Sequence, residues 1–239
     1  MSMLSPAWRA KLCGDIGANE GKTLIMEEED GPLFSKVVAL GCGESVSVGT
    51  GRDPPLDELI GLVRMADRYQ MEGIQSDLEE AVIDRLRVGS CGRILTMASG
   101  SGLVRLERAS RKLALREFDE FAECEGFMEV SEDVLGSLLD DDALVSESEE
   151  RVLQGVVRWM KGGGGGVMRG EGLLRKIRFP FMSGDFLVLE ARGLLPESAG
   201  LELLVLEAGL LKHRAANLWR ENDLRYLDAK VLVPRRGRG

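Results

Sequence analysis

The sequence predicts a mainly α-helical protein. Apolar residues recur at helical spacing from Leu56 to Trp219, a serine and glutamate run opens one of these stripes at Ser146–Glu149, and strand-like alternation is confined to the first 55 residues. A chain of 239 residues has room for one large domain or two small ones.

The first 55 residues are the least regular. Thr23–Met26 and Val46–Val48 read as short strands around an apolar segment, Leu33 to Leu40, that suits a helix. Gly49, Gly51, Pro54 and Pro55 break this small α/β region, and the period then changes. Leu56, Leu59, Ile60, Val63 and Ala66 share one helical face; Ile74, Leu78, Val82 and Leu86 form a second stripe.

Beyond residue 90 the pattern is helical almost throughout. The stripes run Leu103, Leu106 and Leu113; Leu115, Phe118 and Phe121; then Val134, Leu135, Leu138 and Leu139. Ser146-Glu147-Ser148-Glu149 reads as a capping box, in which a hydroxyl and a carboxylate satisfy free amides at a helix start. The stripe that follows is Val152, Leu153, Val156, Val157 and Met160. Five consecutive glycines, Gly162–Gly166, have too much chain entropy to lose to sit inside a helix and join two helices instead. Leu173, Leu174 and Ile177 mark the next helix, which Pro180 stops; Phe186, Leu187 and Leu189 lie in another, and Leu201 to Trp219 in a final pair.

Composition removes several classes of function. Hydrophobic residues are 44% and charged residues 30% of the chain, the balance of a folded globular protein. Lys plus Arg number 31 against 40 Asp plus Glu, and the formal charge of −9 repels a phosphate backbone, so nucleic acid is not an expected partner. The N-terminus lacks an export signal, and the apolar run Leu201–Leu211 carries Glu202 and Glu207, so no membrane span is expected and a cytoplasmic or nuclear protein is the default. Cys13, Cys42, Cys91 and Cys124 are widely spaced and read as reduced thiols.

The chemical motifs do not complete themselves. Gly17-Ala18-Asn19-Glu20-Gly21-Lys22-Thr23 comes near a phosphate-binding loop but has three residues between its glycines where four are needed, Glu20 would repel a phosphate, and an extended run into Glu27-Glu28-Glu29-Asp30 follows instead of a helix. Gly43–Ser47 lacks the closing glycine of a nucleophile elbow. The single histidine, His213, lies in a cationic helical stretch with no acid beside it to orient it as a base. Asp140-Asp141-Asp142 reads as a solvated turn, since three successive carboxylates cannot converge on one ion unaided. Phe127, Trp159 and Trp219 are expected core anchors, and the terminal Arg235–Arg238 a short basic tail. Neither catalytic residues, metal ligands nor cofactor-binding residues are assigned.

Two segments carry a resemblance. Leu138-Leu139-Asp140-Asp141-Asp142-Ala143-Leu144-Val145-Ser146-Glu147-Ser148-Glu149-Glu150-Arg151-Val152 through Trp159-Met160 resembles the signature of the BACK domain, and Leu174–Ser183 resembles its next block, in the same order. Upstream, Ser5–Ala10 and Leu59–Gln70 are similar to segments of the BTB (POZ) domain. The resemblance implies a partial BTB α/β region at 1–88, a BACK-like array of antiparallel helical hairpins at 89–195, and a helical extension with a basic tail at 196–239. The first BTB strands and helices have no counterpart before Ser5, and no kelch-like repeat follows residue 195.

Relatives of this kind are adaptors for cullin-3 ubiquitin ligases. The resemblance therefore implies a non-enzymatic adaptor with three kinds of partner: a cullin-3-type scaffold, a BTB partner or second copy weakened by the missing elements, and an unidentified substrate protein. It places partner contacts at Ile16, Asn19, Glu20, Leu59, Val63 and Tyr69. The cullin motif, a hydrophobic residue followed two positions later by an acid, aligns with Ile16 and Ala18, so that Glu20 falls two residues late. Two other readings stay open: a scaffold or oligomerisation module unrelated to ubiquitin, and a small nucleotide-binding protein using Lys22 and Thr23.

Overall fold

The computed structural model describes residues 31–41, 54–162, 170–195 and 199–213. These divide into two compact units, one ending at Leu86 and the other beginning at Arg87. Among the described residues there is no strand; the expected strands at 23–26 and 46–48 lie outside them.

In the first unit the expected helices form: α1 (Gly31–Gly41), α2 (Leu56–Arg68) and α3 (Glu72–Asp84) pack on one another. The period-3.6 stripe of α2 explains its place in the middle, because Leu59, Val63 and Ala66 are wholly buried and Ile60, Leu62 and Met65 nearly so. Leu78 and Val82 of α3 and Val37 of α1 are wholly buried as well. Two polar ties close the unit: Lys36 pairs with Glu58, and Arg85 donates to the Pro54 carbonyl at 2.6 Å.

The second unit begins with a helical hairpin, α4 (Val88–Ser101) and α5 (Val104–Arg116). Gly102 makes the reversal possible: it ends α4 in the left-handed conformation at φ 71°, which costs a glycine little. The apolar run Leu115-Phe118-Phe121, expected as one stripe, is split. Glu117 leaves helical geometry at φ −114° and ψ 42°, ending α5 and opening the short α6 (Phe118–Glu123). The bend points Phe118 and Phe121 at Phe127 in a 3-10 turn (Glu125–Glu129), with edge-to-face rings 6.1 and 5.1 Å apart.

Helices α7 (Glu132–Leu139) and α8 (Glu149–Lys161) supply the middle of this core. Val152, Leu153, Val156 and Trp159 of α8 are completely buried, each contributing about 1.5–3 kcal/mol from the apolar area taken out of water. Trp159 and Phe127 are core anchors, as expected; Trp219 lies outside the described residues. α8 ends at Gly162, the first residue of the glycine run.

The helix expected around Leu173–Ile177 is a single turn, α9 (Glu171–Leu174), followed by a 3-10 turn (Phe179–Phe181) containing Pro180. Then come α10 (Gly184–Leu189), α11 (Ala191–Leu194) and α12 (Ala199–His213). Of the final helix pair expected from Leu201 to Trp219, α12 is the described member. It packs on α10 and on the second 3-10 turn through Leu204, Val205 and Ala208.

Candidate partner-binding surfaces and the acidic latch

The two sequence blocks that carried the resemblance, 138–160 and 174–183, are bound to each other in space. Asp140, Asp141 and Asp142 stand between α7 and α8, and instead of a merely solvated turn they diverge to three separate cations. Asp140 pairs with Lys176, Asp141 with Arg111 of α5 at 3.0 Å, and Asp142 with Arg178 at 2.5 Å. Arg111 also donates to the Ser137 carbonyl at 2.8 Å, and Asp141 accepts the Ala143 amide at 2.9 Å. The spread of the three carboxylates follows from this: Asp141 is anchored to α5, and Asp140 and Asp142 to the segment that follows α9.

The start of α8 carries the rest of the latch. Ser148, not Ser146, is the residue that caps it, accepting from the Arg151 amide at 3.4 Å. Ser146 turns inward and donates its hydroxyl to the buried carboxylate of Asp119, which also accepts the Glu147 amide at 2.8 Å. Glu149 is buried and accepts the Arg178 amide at 3.1 Å; Glu150 accepts the Ser183 amide at 2.6 Å. Burial of Glu150 favours its neutral form, but hydrogen bonds from the Ser183 amide, its own amide and the hydroxyls of Ser148 and Ser183 outweigh that, leaving its carboxyl below the usual value. The charged residues of this signature thus join α8 to the segment after α9. Its acid-rich character alone did not disclose that role, because the partners lie some thirty residues downstream.

The expected partner-contact residues are distributed unevenly. Ile16, Asn19 and Glu20 lie outside the described residues, as do Lys22 and Thr23 of the incomplete phosphate loop. Leu59 and Val63 are 0% exposed, so within the first unit they are core side chains that hold α2 in place and offer no surface of their own. Tyr69 is half-buried at the C-terminal end of α2, with its ring 5.1 Å from that of Phe34.

Two surface features were not singled out by sequence reasoning. α5 presents exposed Arg108, Lys112 and Arg116 on one side, opposite its buried Leu106, Ser110 and Ala114. In the last part of the second unit Phe181, Val188, Leu189, Leu203 and Leu206 are exposed. Among the described residues no group of acidic, thiol and imidazole side chains is placed to hold a metal ion, and no helix is long and apolar enough to cross a membrane.

The described residues form a helical array tied by ion pairs, with charged and apolar side chains on its surface. Residues 91–191 match the BACK family, BTB And C-terminal Kelch. Similar proteins include human kelch-like protein 41, 22% identical over 161 residues covering 67% of this chain and 26% of the relative. Human kelch-like protein 35 is 27% identical over 184 residues, covering 74% and 31%, and the Danio rerio kelch repeat and BTB domain-containing protein 12 is 29% identical over 195 residues, covering 78% and 30%. The BACK match covers residues 91–191, and the chain spans about a third or less of the relatives' length.

Proposed function

We propose that the chain is a non-enzymatic adaptor that brings a cullin-3-type ubiquitin ligase scaffold to a substrate protein in the cytoplasm. The observation that carries this reading is the BACK match over residues 91–191, set on a helical unit whose signature residues are consumed in holding the array together.

In this reading the cullin-facing surface draws on Ile16, Asn19 and Glu20 and on Tyr69 at the end of α2, while the buried Leu59 and Val63 hold that helix in place. The acid two residues out of register weakens the contact. Losing one well-formed interface contact costs ~2 kcal/mol or more, and each 1.4 kcal/mol is about tenfold in affinity, so binding weaker than that of full-length relatives is expected. A second copy, or another BTB protein, is the further partner proposed. The reading is tested by calorimetry of this chain against a cullin-3 N-terminal domain. Saturable heat that disappears with Ile16→Asp, at an unchanged helical circular dichroism spectrum, supports it. Absence of heat at high micromolar concentrations, for this chain and for a longer chain carrying a complete BTB domain, overturns it.

A further inference from the structure

From the exposed cationic stripe of α5 we infer a docking site for an extended acidic peptide segment of a partner protein, with acids at alternate positions. Arg108, Lys112 and Arg116 follow one another at i, i+4 and i+8 and all are exposed. Like charges at this spacing on a helix repel, so the stripe weakens the helix that bears it. The opposite side of α5 is committed to the core, and Arg111, between the stripe and the core, is turned to Asp141 and Ser137. Arg116 keeps a 64% exposed side chain while contacting its neighbour Glu117 at 3.0 Å, and the ion pairs among the described residues use neither Arg108 nor Lys112.

The pitch selects the partner's form. Four helical residues rise ~6 Å, and two residues of an extended chain advance ~6.6 Å. Glutamates at alternate positions of an extended peptide therefore meet successive cations, whereas contiguous glutamates send every second side chain away. The chain's net charge of −9 opposes any polyanion at long range, so binding rests on the local stripe, and the test below separates a peptide from a nucleic-acid backbone. This inference stands apart from the choice of scaffold, since the stripe belongs to the second unit whatever the first contacts.

The test is fluorescence anisotropy of the full chain with a fluorescein-labelled peptide carrying three glutamates alternating with glycine. Two competitors accompany it, a peptide of the same composition with contiguous glutamates and a single-stranded polyuridylate. Saturable binding at low ionic strength is expected, falling as salt is raised. About tenfold weakening is expected in Arg108→Ala combined with Lys112→Ala, two exposed positions where alanine favours the helix, and none in Arg64→Ala. The milder Arg108→Gln and Lys112→Gln should each show a smaller loss, with the circular dichroism of every variant unchanged. Lack of saturable binding, binding indifferent to these substitutions, or equal competition by the contiguous peptide or by polyuridylate would each overturn the proposal.

Discussion

The indole nitrogen of Trp159 donates a 3.0 Å hydrogen bond to the carbonyl of Val130, twenty-nine residues earlier in the chain, and both residues are buried. This one bond links the last turn of α8 to the segment that precedes α7. Trp159→Phe preserves most of the ring and leaves the buried carbonyl without its donor, at an expected cost of about 1–3 kcal/mol. Trp159→Ala adds a cavity and is expected to cost about 3–5 kcal/mol. Urea denaturation followed by far-ultraviolet circular dichroism distinguishes the two, and equal losses would show that the packing of the ring contributes nothing beyond the hydrogen bond.

Gly92 of α4 touches the 3-10 turn so closely that a Cβ there would strike the Gly126 carbonyl, and a Cβ on Gly126 would strike that of Gly89. Gly92→Ala is therefore expected to destabilise by about 1–3 kcal/mol or more. Gly89 lies in the same helix with open space where its Cβ would go, so Gly89→Ala should raise stability by about 0.5–1 kcal/mol. Opposite shifts in the urea midpoint are the expected result; two shifts of one sign would place the α4 contact elsewhere.

Arg178 is 1% exposed although its partner Asp142 has a side chain 68% exposed. Removing the guanidinium leaves a carboxylate that water can rehydrate, so the loss in Arg178→Ala comes mainly from the void left by a long side chain, about 1–3 kcal/mol. Arg178→Met, which refills most of that volume, should recover the greater part. If methionine were no better than alanine in thermal unfolding, the charge itself would be the stabilising feature.

Glu150 sets an acid-side dependence. Its folded pKa lies below its unfolded value, so its contribution is fully present above the unfolded pKa and is lost as pH falls through the folded one. Between neutral pH and pH ~3, Glu150→Gln should flatten the decline in stability relative to the unchanged protein. Identical slopes in urea titrations across that range would remove Glu150 from the latch.

Cys91 is buried and its thiol, which contacts the Ser110 carbonyl at 3.0 Å, is pushed up to about 12 by desolvation. Since the thiolate is the reactive form, Cys91 should resist alkylation in the native protein at mildly alkaline pH and react on unfolding. Mass spectrometry of iodoacetamide adducts checks this residue by residue. Rapid native labelling at Cys91 would mean that the α4–α5 hairpin opens readily.

Local periodicity made much of the helix order legible. α2, α3, α7 and α8 fall where the apolar stripes placed them because each buries one face of a regular helix, and that face is written in the spacing of Leu59, Val63, Val152 or Val156. The BACK blocks were readable for a related reason: they combine a serine cap, an apolar stripe and a stopping proline within short windows. The break at Glu117 was not readable, since Leu115, Phe118 and Phe121 keep helical spacing through it.

Sequence by itself determined the helical class, the amphipathic faces and the serine-rich start of α8, all of which depend on neighbours within a turn or two. Tertiary structure alone decided which serine caps and which serves Asp119, where the three successive aspartates find their cations, and that Leu59 and Val63 belong to a core. These are pairings across some twenty to forty residues, and burial of a polar group is tolerable only where a distant donor or cation arrives to satisfy it. Such arrivals are properties of packing, which no local window of sequence contains.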